Sequence, residues 1–450
     1  MTRNWAGTHE YTAPNIVPAS TVEEVQRAIA YGGQVHALGT RHSFTDLPDT
    51  TGTLLDLAGL TGGFALDTDA STVEVAAGTR YGELALWLDE RGCALHNLGS
   101  LPHISVGGAT ATGTHGSGNA NGVLTSAVRG IRYVGADGAV HDVRQGEPDF
   151  DALAVGVGAF GIIVSLTLAV QPTYRARQDI YKNVTWDAAL DRFDEITGAG
   201  YSVSVFTRWE PDLLGDVWVK TRLDADDDPV SDALLDGSRV VDANPLEGLP
   251  DLTELGGVPG PWLARLPHFR LDGKPSFGDE IQSEYFVARS HAPRALRAVR
   301  ELAPVIQPVL FVSELRTAAS DELWLSGAYQ RDFLAIHFTW HNDDAGVRAV
   351  LPLVEQALAP FDARPHWGKL FLAEAAELQP RYPRHADFVA LADRLDPEGT
   401  FRNPFLARHL FDAAAIARVH PRLADARAVF DRLDPEGRFA NAHLERVGVR

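Results

Sequence analysis

The sequence predicts an α+β protein built from two main units, and three observations carry that expectation. A chain of 450 residues suggests about three domains at one per ~150 residues, or two larger ones. Up to Pro172, short strands alternate with helices and glycine turns, and the apolar run "FGIIVSLTLAV" is the last of that series. Beyond it the chain turns rich in Pro, Gly and Asp ("DDDPVSDALLDGSRVVDANPLEGLPDLTELGGVPGPW"). Three strand-like runs then follow, "SEYFVAR", "PVLFVSELRT" and "FLAIHFTW". The expected division is 1–172, 173–400 and a C-terminal segment 401–450.

In the first unit, "TVEEVQRAIAYGG" has a Thr to cap a helix and a Gly to stop it. "QVHAL" and "GTLLDL" read as strands. "TVEVAAGTRYGELALWLDERGCAL" reads as a strand followed by a helix that ends at Gly92. From Gly92 to Val128 there is no Asp, Glu, Lys or Arg in 37 residues. In a chain that is 22% charged, such a stretch is improbable on a solvated surface, so it is expected to be buried or covered by a ligand.

Within that stretch, "SVGGATATGTHGSGNANG" holds six glycines, between "ISV" and "SAVRGIRYV", which read as apolar strands. Such composition marks either a flexible linker or a backbone kept bare, so that a flat ligand and its phosphates approach the amides. The apolar flanks favour the ligand, because a linker would be more acidic and richer in Pro. A related question arises at "ALGTRHSFTD". His42 sits just past a strand, in a turn opened by Gly39, with neither the apolar neighbours of a core histidine nor the close partners of a metal ligand.

In the second unit the two-residue period of a strand decides which side chains share a face. It puts Glu314 and Arg316 together, with Leu310 and Val312. It puts His337 and Thr339 together, opposite Leu334, Ile336, Phe338 and Trp340. Gln282 and Lys369 add polar groups to the same region. Singly, the Glu314–Arg316 pair reads as a solvent-side ion pair and His337 as a satisfied core histidine. Together, aimed from otherwise apolar strands, they suggest a floor for a polyol- or sugar-like ligand. The 16 histidines include no HExxH, and His337 and His341 lack a carboxylate partner in the sequence, so no metal site is expected. A dinucleotide fingerprint and a GxSxG elbow are also missing.

Composition narrows the function further. The formal net charge of −20 argues against nucleic acid or an anionic membrane surface as partner. The single Cys93 excludes an internal disulfide and fits a reducing compartment. The N-terminal residues contain no apolar signal-like run, and no apolar stretch approaches the ~20 residues of a membrane span. A cytoplasmic, monomeric protein is expected. One repeat is present: "YPRHADFVALADRLDPEGTFRNPFL" (382–406) recurs as "HPRLADARAVFDRLDPEGRFANAHL" (420–444), a duplicated helix and loop.

In order along the chain, "LGTRHSF", "SLPHISVGGATATGTHGSG", "GIIVSLTL", "GVPGPWLARLPHFR", "SEYF", "SELRT", "HFTW", "RPHWGK" and "LDPEGTFRN" resemble the alditol oxidases. These are close kin of xylitol oxidase among the vanillyl-alcohol-oxidase-type flavoproteins, which also include the aldonolactone oxidases. The resemblance implies a two-domain fold, with an FAD-binding α+β domain and a substrate domain built on a mainly antiparallel sheet. The C-terminal segment should return to the FAD domain, with Asn403 of the first repeat copy in the usual seat and the second copy, around Asn441, as an added helical layer.

For the cofactor, the resemblance implies FAD bonded covalently through His42, flanked by Gly39, Thr40, Arg41 and Ser43. Arg41 stands where several relatives have a small residue. Ser100, Ser105, Gly108, Thr112, Gly113, Thr114 and His115 would make further contacts, with Ile162 against the cofactor. The polyol would be held by Ser100, Gln282, Glu314, Arg316 and Thr339. Arg316, Lys369, His337 and Glu314 would carry catalysis, His337 as base and Glu314 orienting it or the substrate hydroxyls. The implied reaction converts the terminal primary alcohol of a polyol such as xylitol or sorbitol into the aldose, with dioxygen reduced to hydrogen peroxide. The alternatives are an aldonolactone oxidase, a dehydrogenase using another electron acceptor, or a non-catalytic flavin- or sugar-binding protein.

Overall fold

The computed structural model describes residues 2–225, 228–241, 251–274, 276–411 and Arg432. Apart from Arg432, the second repeat copy, Asn441 included, lies outside the described residues. Helix Val22–Ala30 begins where the Thr21 side chain accepts from the Glu24 amide, and it buries Val25 and Ile29 on one face. Around it, strands Asn15–Pro18, Thr53–Asp56 and Val35–Leu38 form a parallel sheet with Thr53–Asp56 in the middle. Helix Tyr81–Asp89 stops three residues before Gly92, which takes φ 70° where the chain reverses.

A five-stranded antiparallel sheet completes this half, in the order Ala65–Asp67, Thr72–Ala76, Ile162–Ala169, Val128–Val134, Val140–Arg144. The glycine-rich stretch departs from the expectation on one side. "ISV" is not a strand: Ser105 leads into the short helix Val106–Ala111. The amides of Val106 and Gly107 bond to Thr79 O and Ala77 O at 2.8 Å each, which pins the helix to the end of the Thr72–Ala76 strand. Only a glycine fits there, since a Cβ on Gly107 would stand 2.8 Å from Ala77 Cβ and 3.0 Å from Ala77 O.

The second half is dominated, among the described residues, by a ten-stranded sheet. Its central strands run in the order Arg175–Thr185, Leu213–Leu223, Ser202–Thr207, Leu310–Ala318, Phe333–His341, Glu280–Ala288, each antiparallel to the next. One face is apolar and carries Tyr285, Ile336, Phe338 and Trp340, all buried. Helix Asp344–Leu358 packs near this side, and its Glu355 accepts from the Tyr285 hydroxyl at 2.8 Å. The other face carries the polar side chains of the candidate site.

The C-terminal part of the described chain returns to the first half. The Asn403 side chain donates to Leu47 O and Asp49 O at 2.7 and 2.8 Å and caps the following helix at Leu406 N. The Val35 amide donates to Thr400 O, and Phe401 packs with Val25, Ile29 and Val35. No helix of the described residues is long and apolar enough to cross a membrane.

Candidate active site

Cross-strand register assembles the site. Gln282 lies opposite Thr339, Glu284 opposite His337, and His337 opposite Glu314, so three adjacent strands project these five polar groups, and Arg316 beside Glu314, from one face. The face forms one wall of a cavity whose other wall is the first half of the chain, including Gly39, Thr40, His42, Ser105 and Gly108. Ser100, Gln282, Glu314, Arg316, His337, Thr339 and Lys369 all line this cavity. The structure therefore brings together the seven polar residues that the sequence singled out.

At the centre stands a residue that sequence reasoning passed over. Glu284 is 1% exposed. Its Oε1 accepts from Arg316 Nη2 at 2.9 Å and from His115 Nε2 at 3.0 Å, and its Oε2 lies 3.3 Å from His337 Nδ1. Burial opposes its ionisation, but Arg316, His115 and His337 outweigh burial and hold the carboxyl well below the usual range. The signal lay in "SEYF", where Glu284 shares the face of Gln282 by the period of two.

Of the two roles expected of Glu314, contact with His337 falls to Glu284, which leaves Glu314 for the substrate hydroxyls. The carboxylate beside His337 is Glu284, whereas Glu314 Oε1 accepts from His268 Nε2 at 2.8 Å and lies 3.5 Å from Arg316 Nε. Burial works against the Glu314 charge, yet Arg316 and His268 keep it ionised far below its ordinary value. His268 itself is pulled down to about 4 by burial and by Lys220, so it is a neutral imidazole near neutral pH.

His337 is likewise lowered by burial, with Glu284 opposing, and its Nε2 lies 3.2 Å from Thr339 Oγ1. Burial pulls Lys369 down to about 8. Its ammonium donates to Gln282 Oε1, and the Gln282 amide donates in turn to Glu280. Arg316 Nη1 reaches Ser100 Oγ at 3.2 Å. A neutral imidazole, two cations and several fixed acceptors thus surround one space, as removal of a proton and a hydride from an alcohol would require.

On the opposite wall His42 stacks on Trp5, with ring centroids 5.3 Å apart. Its Nδ1 lies 3.1 Å from Thr40 Oγ1, while its buried Nε2 has no hydrogen-bond partner. Burial lowers His42 to about 3. A neutral ring with one orphaned nitrogen at a cavity wall fits attachment to a cofactor. Arg41 adopts φ 67° and turns its guanidinium to Asp56 at 2.7 Å.

Ser43, Thr112, Thr114 and His115 line the cavity as well. Two expected cofactor residues do not. The Gly113 backbone turns at φ 63° beside Val155. The Ile162 side chain packs with Val134 and Val164, and the pleat gives the cavity to Ile163 instead. His36, with both ring nitrogens buried and unpartnered, lines the cavity unforeseen.

Comparison with known proteins agrees with this geometry. An FAD-binding-domain family matches residues 13–144, and the D-arabinono-1,4-lactone oxidase family matches residues 278–409. An alditol oxidase of Streptomyces sp. (strain IKD472 / FERM P-14339) is 44% identical over 91% of this chain and 98% of that enzyme. The chain belongs to the alditol oxidase family. An L-gulono-1,4-lactone dehydrogenase of Mycobacterium tuberculosis is 30% identical over 90% of this chain and 98% of its own length.

As in that family, FAD is the cofactor. Among solved structures, cholesterol oxidase from B. sterolicum matches with TM-score 0.71 at 15% identity, covering 91% of this chain and 96% of that one. Xylooligosaccharide oxidase from Myceliophthora thermophila matches with TM-score 0.70 at 16% identity, covering 91% and 94%. The fold is thus the vanillyl-alcohol-oxidase type, and the alditol oxidase family supplies an enzyme that acts on CH–OH groups.

Proposed function

We propose that this enzyme oxidises the terminal primary alcohol of an alditol of the xylitol or sorbitol kind to the aldose, with dioxygen as acceptor and FAD bonded covalently to His42. The observation that supports this best is the convergence of Ser100, Gln282, Glu314, Arg316, His337, Thr339 and Lys369 on the cavity that also exposes the free edge of His42. Gly39, Thr40, Ser105 and Gly108, with His42, would hold FAD, which would supply the hydride acceptor for the carbinol carbon and the route by which two electrons reach dioxygen to give hydrogen peroxide. His337, neutral and flanked by Glu284, accepts the hydroxyl proton. Arg316 and Lys369 stabilise negative charge that develops on the substrate oxygen and beside the cofactor. Ser100, Gln282, Thr339 and Glu314 bind the remaining hydroxyls, so their single loss weakens binding more than turnover.

Gly99 supports dioxygen over another acceptor. A Cβ there would meet only Ile104 Cδ1 at 3.5 Å and more distant atoms, which leaves free space at the cavity wall. The deciding experiment measures peroxide release under air from xylitol, sorbitol, glycerol and an aldonolactone. Peroxide from the polyols is expected. Turnover of the lactone alone, or reduction of an artificial acceptor without peroxide, would replace this reading by the lactone oxidase or the dehydrogenase.

A further inference from the structure

Lys220 is 2% exposed, lies outside the cavity lining, and has no part in the chemistry above. It lies on the Leu213–Leu223 strand, on the same face as Trp218. Through the neighbouring Ser202–Thr207 strand, that face continues to Glu314, which pairs with Phe206. Between Lys220 and Glu314 stands His268, held edge-on between Phe206 and Trp218 with ring centroids 5.2 Å from each. The His268 amide donates to Ser100 O at 3.1 Å, so the loop is fastened to a cavity residue.

The hydrogen-bond directions along this row are determined. The Lys220 amine donates to Leu266 O and lies 3.2 Å from His268 Nδ1. Glu314 is an ionised carboxylate and can only accept, so the proton of the neutral His268 ring sits on Nε2 and Nδ1 is left as the acceptor for the Lys220 amine. That N–H donates to Glu314 Oε1 at 2.8 Å, with Ser204 Oγ 3.4 Å from the same nitrogen. Arg316 Nε approaches the same Oε1. Among the described residues no partner occupies Glu314 Oε2, and Glu314 lines the cavity.

We infer that Lys220 and His268 form a positioning pair that fixes the histidine tautomer, anchors one oxygen of Glu314, and so presents the other oxygen to a substrate hydroxyl. The inference rests on the alditol reading above. Lys220 touches no substrate, yet its removal should be felt as substrate affinity. Without it Nδ1 loses its donor, the ring is held in place from one side only, and its grip on Glu314 loosens, so that Glu314 can rotate.

The test uses the FAD-loaded full chain. Lys220→Met is expected to raise KM for xylitol ~10-fold or more, the worth of one hydrogen bond to a charged group. The rate of flavin reduction at saturating xylitol should stay within about twofold. In a Glu314→Gln background the same substitution should add less than about twofold, because the group it positions is already gone. His268→Gln, which keeps an N–H donor toward Glu314, should retain most of the affinity that His268→Leu loses, and this pair decides the question should Lys220→Met not fold. An unchanged KM, a loss confined to kcat, or additive effects of Lys220→Met and Glu314→Gln would overturn the inference. If the unsubstituted enzyme released no peroxide from xylitol, the alditol reading itself would fall.

Discussion

Arg316 and Lys369 illustrate how much a single buried side chain depends on its neighbours here. Each cation is desolvated, and each is compensated by an acceptor on the Glu280–Ala288 strand: Glu284, two strands across the sheet, for Arg316, and Gln282 for Lys369. Replacing either by alanine should slow anaerobic flavin reduction by roughly two orders of magnitude, as loss of a preorganised charge does elsewhere. Stopped-flow reduction by xylitol is the check, and variants that reduced at the parent rate would demote both to structural groups. The pH profile follows from the same groups. His337 must be neutral to accept a proton, and burial holds it below its ordinary value, so kcat/KM should rise through a limb below the usual histidine range. Lys369 must be charged and sits at about 8, so activity should fall as pH climbs through that value, and Lys369→Met should remove the alkaline limb from a kcat/KM profile. Glu314, Arg316, His337 and Thr339 were legible from strand alternation alone. Glu284 shared the face of Gln282 by the same alternation, but its central place comes from cross-strand register, and His268 sits in a loop, which no strand discloses.

Strands with one buried apolar row and one polar row were the elements most readable in the chain. Phe333–His341 shows it best, with Leu334, Ile336, Phe338 and Trp340 in the buried apolar row and His337 and Thr339 on the cavity side, whereas in Leu310–Ala318 Val312 shares the cavity side with Glu314 and Arg316. The Val106–Ala111 helix was unreadable for the opposite reason. Gly107, Gly108 and Thr110 are poor helix formers, and what holds the turn is its pair of bonds to the Thr72–Ala76 strand end. Tertiary contact overrode propensity. Gly107→Ala tests this element: the added methyl meets Ala77 at 2.8 Å, so the helix must lift from the strand that seats it. Purified protein should then carry less flavin per chain, read from the ratio of visible to ultraviolet absorbance, and should melt at a lower temperature. Full flavin content with an unchanged melt would mean that the cradle tolerates displacement.

At the scale of the molecule, the cavity takes one wall from each half of the chain, and that explains what a covalent link would add. With both walls in place, the proposed link would not be the main source of positioning. His42→Ala should give a folded, weakly active protein whose yellow colour washes out in acid, whereas the unsubstituted protein should stay yellow after acid precipitation. Colour lost from the latter would dismiss the bond. The likeness in order of motifs made the two-half architecture legible. It did not disclose how the halves are tied. The Phe44 amide donates to Gly368 O, the Ser43 hydroxyl reaches the same carbonyl, and the Asn403 side chain secures Leu47 and Asp49. Every one of those ties joins a residue within the first fifty to one beyond residue 360. During synthesis the His42 turn emerges well before the Gly368 carbonyl and the Asn403 amide that hold it, a separation of 325 residues in the case of Ser43 and Gly368. The nascent chain therefore cannot complete the flavin seat until that distant segment has been made. A covalent link at His42, as proposed above, would form only after it.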